Sequence, residues 1–148
     1  MNTVIQLLSA FVGSLGFCLL FHVTMKYTFP AALGGFLCWG IYLISTGIFD
    51  GIFFPSLLTS AFCALYSEIS ARVFHTPATV FYIPAIIPLI PGSTLYYTMS
   101  YLVQKDITAS QEYAAATAQY ALGIACGSCL IWAVSDIVRK IEITAKRK

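Results

Sequence analysis

The sequence predicts an all-α membrane protein of about five transmembrane helices, the fourth broken at a Pro-x-x-Pro-Gly motif. Three observations carry that expectation. The 148 residues are 59% hydrophobic and only 9% charged, with a mean hydropathy of +0.83, whereas an average soluble domain carries about 25% charge. The charged residues are spread so thinly that long uncharged runs remain between them. Finally, Val80 to Tyr97 is apolar enough for a bilayer, yet Pro84, Pro88 and Pro91-Gly92 interrupt it. An internal proline lacks an N–H and presses on the carbonyl four residues earlier, so the helix kinks or breaks.

A crossing needs roughly 20 apolar residues. Five of them fill nearly the whole of 1–148 as a single integral-membrane domain and exclude a nucleotide-binding, catalytic or regulatory domain beside it. The first span is expected over 3–21, ended by His22 and Lys26. No basic residue precedes it, so it reads as a retained helix rather than a secretory signal. From Pro30 to Ser67 the only charge is Asp50. One straight helix of that length would reach about 57 Å, nearly twice the hydrocarbon thickness. The Asp50-Gly51 turn dipeptide therefore divides it into spans 30–49 and 52–67. Glu68, Arg72 and His75 read as a polar loop, Glu68 and Arg72 having the i,i+4 spacing of a solvated helix end. Residues 76–103 form the fourth span, broken near 91–92. Lys105 to Glu112 is a loop, 114–134 the fifth span, and 139–148 a basic tail.

Cytoplasmic loops collect lysine and arginine. Threading five spans puts Lys26, Arg72, Arg139, Lys140, Lys146, Arg147 and Lys148 on one side and Lys105 on the other. The expected topology has an external N-terminus and a cytoplasmic C-terminus. The net charge of +2 comes from the tail and gives no indication of nucleic acid.

Without a hydrophobic force between helices in lipid, close approach at small residues drives packing. Gly123 with Gly127, and Ala114, Ala118, Ala121 and Ala125, make such faces in the fifth span. Ser9, Gly13 and Gly16 do so in the first, and Ala31 with Gly35 in the second. These faces suit packing inside the bundle or contact with another chain, including self-association.

Cys126 and Cys129 have Cys-x-x-Cys spacing but sit mid-span with no electropositive neighbour to favour a thiolate, so they read as small packing residues. His22 and Lys26 fit an anion site or plain snorkelling. Gln119 fits an interhelical hydrogen bond or a substrate contact. Tyr96, Tyr97 and Tyr101 fit an interfacial belt or a pore lining. No Ser-His-Asp set, carboxylate dyad, metal-ligand cluster or Gly-rich phosphate loop is present. Enzyme activity, a cofactor and a metal are therefore not expected.

The proline motif carries the functional expectation. Broken backbone survives in hydrocarbon only where it is buried in protein or faces a wet cavity. Gly92 permits unusual backbone angles, and Ser93 or Thr94 suits the N-cap of a helix running to Val103. The free N–H groups and dipole of such a helix start attract anions, an arrangement that transporters use near the midplane.

Pro88-Leu-Ile-Pro91-Gly92, preceded by Ile87 and followed by Tyr96, resembles the motif of the threonine/serine exporter family. The match is to the family's C-terminal half, which also occurs as a separate small subunit. Pro84 is an extra proline relative to that pattern. The resemblance implies a subunit of a secondary exporter of small carboxylates (threonine, serine or a succinate-like dicarboxylate) in the bacterial inner membrane. It also implies a larger partner subunit carrying the complementary half. Substrate contacts are then expected from Pro88, Pro91, Gly92, Ser93, Thr94, Tyr96, Tyr97 and Gln119. The alternatives are a non-transporting assembly subunit and, with no ring-forming charge in view, a small channel.

Overall fold

Helices are built wherever the chain lacks the breaks described above. The computed structural model describes residues 2–146; Met1, Arg147 and Lys148, the last two part of the expected basic tail, lie outside the described residues. In chain order the helices are α1 (Thr3–Leu20), α2 (Met25–Ile48), α3 (Phe53–Phe74), α4 (Thr79–Ile86), α5 (Gly92–Val103) and α6 (Ile107–Lys146), with a 3-10 turn at Ile87–Leu89 between α4 and α5. The protein is an all-α membrane protein. Three helices are long and apolar enough to cross a membrane, and α4 with its turn and α5 make a fourth if the bent pair is one span.

Three boundaries and one expected span differ from the sequence expectation. Helix α2 starts at Met25 and holds Pro30 inside it, in its second turn, where the proline removes a single ladder bond, the one to Lys26 O. Helix α3 runs on to Phe74, so Glu68 and Arg72 belong to its last turns and not to a loop; His75, in the left-handed region at φ 53°, ends it. The loop expected over Lys105 to Glu112 is much shorter. Asp106 caps α6, its Oδ1 accepting from the Ala109 amide at 3.1 Å, so the helix begins at Ile107. Forty residues then make α6 about 60 Å long, well beyond one bilayer.

The fourth difference is α3, expected as a span but absent from the apolar candidates. It is the central helix, packed against α2, α4 and α6, and it buries Ser56, Thr59, Ser60, Ser67 and Ser70. Those hydroxyls lower its hydropathy without leaving it wet. Ser56 donates to Ile52 O at 2.7 Å and Ser67 to Cys63 O at 2.8 Å, the back-bonding by which a helix satisfies its own serines.

Small residues set the spacing of α3 and α6. A Cβ on Gly123 would sit 2.8 Å from Phe53 O and from Ser56 Cβ, and one on Gly127 would run into Leu57 O and Ser60 Oγ. Ser60 donates across this seam to Gly123 O at 3.2 Å. On α2, a Cβ on Gly34 would sit 2.8 Å from the Tyr66 ring, and Tyr66 donates to Pro30 O at 2.7 Å. The Ala31 and Gly35 face of α2 is buried, a Cβ on Gly35 running into the Ser14 side chain of α1, whereas the small faces around Gly13 and Gly16 on α1 and along the alanine row of α6 turn outward. Gly13 and Gly16 have nothing within 4 Å of a built Cβ; the packed face of α1 is Ala10, Ser14 and Cys18, so the expectation that Gly13 and Gly16 pack helices inside the bundle is corrected. Ala114, Ala118, Ala121 and Ala125 are likewise exposed on α6.

Candidate functional site

Pro84 and Pro88 each lack the amide that would continue the α4 ladder. The chain tightens into the 3-10 turn, closed by the Ile90 amide on Ile87 O at 3.2 Å. It then extends through Ile90 (φ −64°, ψ 125°) and Pro91 (φ −77°, ψ 58°) before α5 begins. The axes on either side differ by 50°. At 1.5 Å per residue, α4 with its turn spans about 16 Å and α5 about 18 Å. With the bent pair taken as one span, those lengths set the break close to the middle of a hydrocarbon core of about 30 Å.

The start of α5 differs from the expectation that Ser93 or Thr94 caps it. Pro91 holds the cap position and no side chain caps the helix, so Ser93 and Thr94 lie inside the first turn. The Gly92 amide donates to Ile90 O at 2.8 Å and the Leu95 amide to Pro91 O at 3.1 Å, while the amides of Ser93 and Thr94 have no backbone acceptor. Gly92 is not in a left-handed conformation, Gly51 (φ 92°) being the glycine that is. A Cβ on Gly92 would also meet nothing within 4 Å. The backbone-angle reason for a glycine here is therefore corrected: folding of this chain leaves the space in front of Gly92 and Ser93 empty. Two free amides at the positive end of a helix dipole, at the exposed start of α5, can accept a carboxylate.

The other expected site residues are divided between two faces. Thr94 is held inside the α5–α6 seam, donating to Pro91 O at 3.2 Å and accepting from the Thr117 hydroxyl at 2.9 Å. Tyr97 packs on Tyr113 with ring centroids 5.3 Å apart, and Tyr101 stacks on Tyr113 at 5.5 Å. These rings join α5 to α6; Tyr96 stays exposed. Gln119 is also exposed on α6. The α6 side chains that reach α5 by hydrogen bonds are Thr117 and Ser110, the latter donating to Thr98 O at 3.0 Å, and in the core Tyr120 shares a 2.5 Å hydrogen bond with Tyr42.

Pro88 faces elsewhere. It lines a recess of about 250 Å³ with Gln6, Ser9, Ala10 and Trp39, from helices α1 and α2. Trp39 stacks on Tyr42 with centroids 5.1 Å apart, and its indole N–H is buried without an acceptor. Sequence reasoning passed over Gln6 and Trp39 and read Ser9 only as part of a small packing face; the one available signal was a polar Gln6 within an apolar run. Cys126 and Cys129 are free and exposed.

A family model described as "Threonine/Serine exporter, ThrE" matches residues 6–134. No curated protein and no solved structure matches the chain.

Proposed function

Because the chain belongs to the threonine/serine exporter family, we propose that it is a membrane subunit of a secondary exporter of small carboxylates. The substrates are threonine and serine or a succinate-like dicarboxylate, and a larger subunit of the same family completes the transporter. The observation that carries this reading is the uncapped, exposed start of α5 at mid-depth. Both substrate classes present a carboxylate to such a site.

The need for a partner rests on faces that the described residues leave uncovered. Helix α5 has no buried residue, and Gly13, Gly16 and the alanine row of α6 lie open. Small residues exposed to lipid offer close approach to another helix. The test is efflux from cells lacking their own exporters. Co-expression with the larger subunit should restore export of threonine, serine or succinate, and either chain alone should leave it at background. Full export by the larger subunit alone would reduce this chain to an assembly role. That second reading draws on the same open faces, and Ser93→Pro, which deletes the Ser93 amide, separates the two. It alters substrate handling by a transporting subunit but only the association of a scaffold.

The proposed setting is the bacterial inner membrane, crossed five times with α3 as the shielded third crossing. Lys26, Arg72, Arg139 and Lys140 then share the cytoplasmic end. A reporter fused after Lys148 is expected to behave as cytoplasmic and one before Met1 as external. Both reporters on one side would mean that the bent pair enters and leaves by the same face.

A further inference from the structure

A second site is built at the end of the bundle opposite Asp50 and Asp106, where α3 ends, α4 starts and α6 passes. Arg72 from α3 and Arg139 from α6 line one recess of about 240 Å³ together with Glu68, His75 and the approach to α4 at Pro77 and Ala78. Two guanidinium groups against one carboxylate leave the recess positive. The start of α4 adds to this. It has no side-chain cap, Pro77 has no N–H, and the amides of Ala78 and Thr79 have no backbone acceptor, bonding resuming with Val80 on Pro77 O at 3.1 Å.

Immediately after Ala78 the surface changes character. Thr79 and Val80 begin an apolar groove of about 180 Å³, continued by Ile83 and Pro84 along α4 and walled by Phe21 and Val23. A positive recess lined by Ala78 and an apolar groove that begins at the next residue, Thr79, match the two halves of a phospholipid. Lys26, with its ammonium 5.7 Å from the Tyr27 ring centre, lies at the same end of the bundle, and lysine beside tyrosine is characteristic of headgroup depth.

We propose that this end of the protein holds one anionic phospholipid, its phosphate between Arg72, Arg139 and the start of α4, and an acyl chain in the groove along Val80 and Ile83. Arginine suits the role because its planar fork donates two hydrogen bonds to a phosphate. Basic recesses between helices on the cytoplasmic side select anionic headgroups for the same reason. The groove distinguishes a lipid from free phosphate, which has no use for it.

The test is native mass spectrometry of the purified full chain in a neutral detergent. Phosphatidylglycerol and phosphatidylcholine are offered at equal concentration. Wild type should retain phosphatidylglycerol over phosphatidylcholine by about tenfold or more, the scale of lost charge-assisted contacts. The double variant Arg72→Gln/Arg139→Gln should fall to within about twofold of no preference, while Lys140→Gln, outside the recess, should retain it. Val80→Trp, which fills the groove, should weaken retention of both lipids without a change in preference. No preference in wild type, or a preference untouched by the double variant, overturns the site. Displacement of the lipid by an equal concentration of inorganic phosphate assigns the recess to a free oxyanion and overturns the lipid.

Discussion

Gly127→Leu is expected to prevent α3 and α6 from closing, and to cut the yield of monodisperse protein in neutral detergent by about tenfold or more. A Cβ there would run into the Leu57 carbonyl and the Ser60 hydroxyl. The first of these is backbone, so the neighbour cannot rotate away and the helices themselves must separate. Separation would also break the hydrogen bond from Ser60 to Gly123 O, leaving buried polar groups in an apolar interior. Gly127→Ala should lower stability by about 1–3 kcal/mol, the usual cost of overpacking, read as a lower thermal midpoint. Gly13→Leu serves as the control, because nothing lies within 4 Å of its Cβ position; it should leave yield unchanged. Wild-type yield from Gly127→Leu would mean that α3 and α6 are not held at this seam.

Gly92→Leu is expected to do the reverse, leaving the fold intact while abolishing export. Among the described residues nothing occupies the space above Gly92, and its backbone angle suits other residues. A leucine there therefore causes no strain within the subunit and adds helix propensity to the first turn. It covers the approach to the free amides of Ser93 and Thr94, the proposed contact for the substrate carboxylate or the partner chain. Yield and thermal midpoint should match wild type, with efflux near background. Normal efflux from a well-expressed Gly92→Leu protein would move the site away from the break.

These two glycines show which parts of the molecule were legible in the sequence. The break at Pro88 and Pro91 could be read directly, because a proline's missing amide and fixed φ act locally whatever surrounds them. The turn at Asp50-Gly51 is local in the same sense. Helix α3 was harder, since hydropathy counts Ser56, Ser60 and Ser67 as polar although the helix or its neighbour accepts from each of them. Glu68 and Arg72 suggested a loop by their charge, but a charged residue ends a span without ending a helix. The direction of the small faces was illegible. Gly127 and Gly13 look alike as spaced small residues, and only the tertiary neighbours make one a tight contact and leave the other open. The recess at Pro88 was hidden for the same reason, being assembled from Gln6, Ser9 and Trp39 on two other helices.

The central claim is that backbone amides at the start of α5, rather than a side chain, receive the substrate carboxylate. It is tested most directly by measuring efflux for Ser93→Pro and Ser93→Ala, each co-expressed with the larger subunit. Proline in the first helical turn is tolerated but deletes the Ser93 amide, whereas alanine deletes only the hydroxyl. A lost hydrogen bond to a charged group is worth about 1.5–3 kcal/mol, which corresponds to about tenfold or more. The account predicts that Ser93→Pro lowers efflux by that factor at unchanged expression and that Ser93→Ala stays within about threefold of wild type. Wild-type efflux from Ser93→Pro, or an equal loss in both variants, would contradict it.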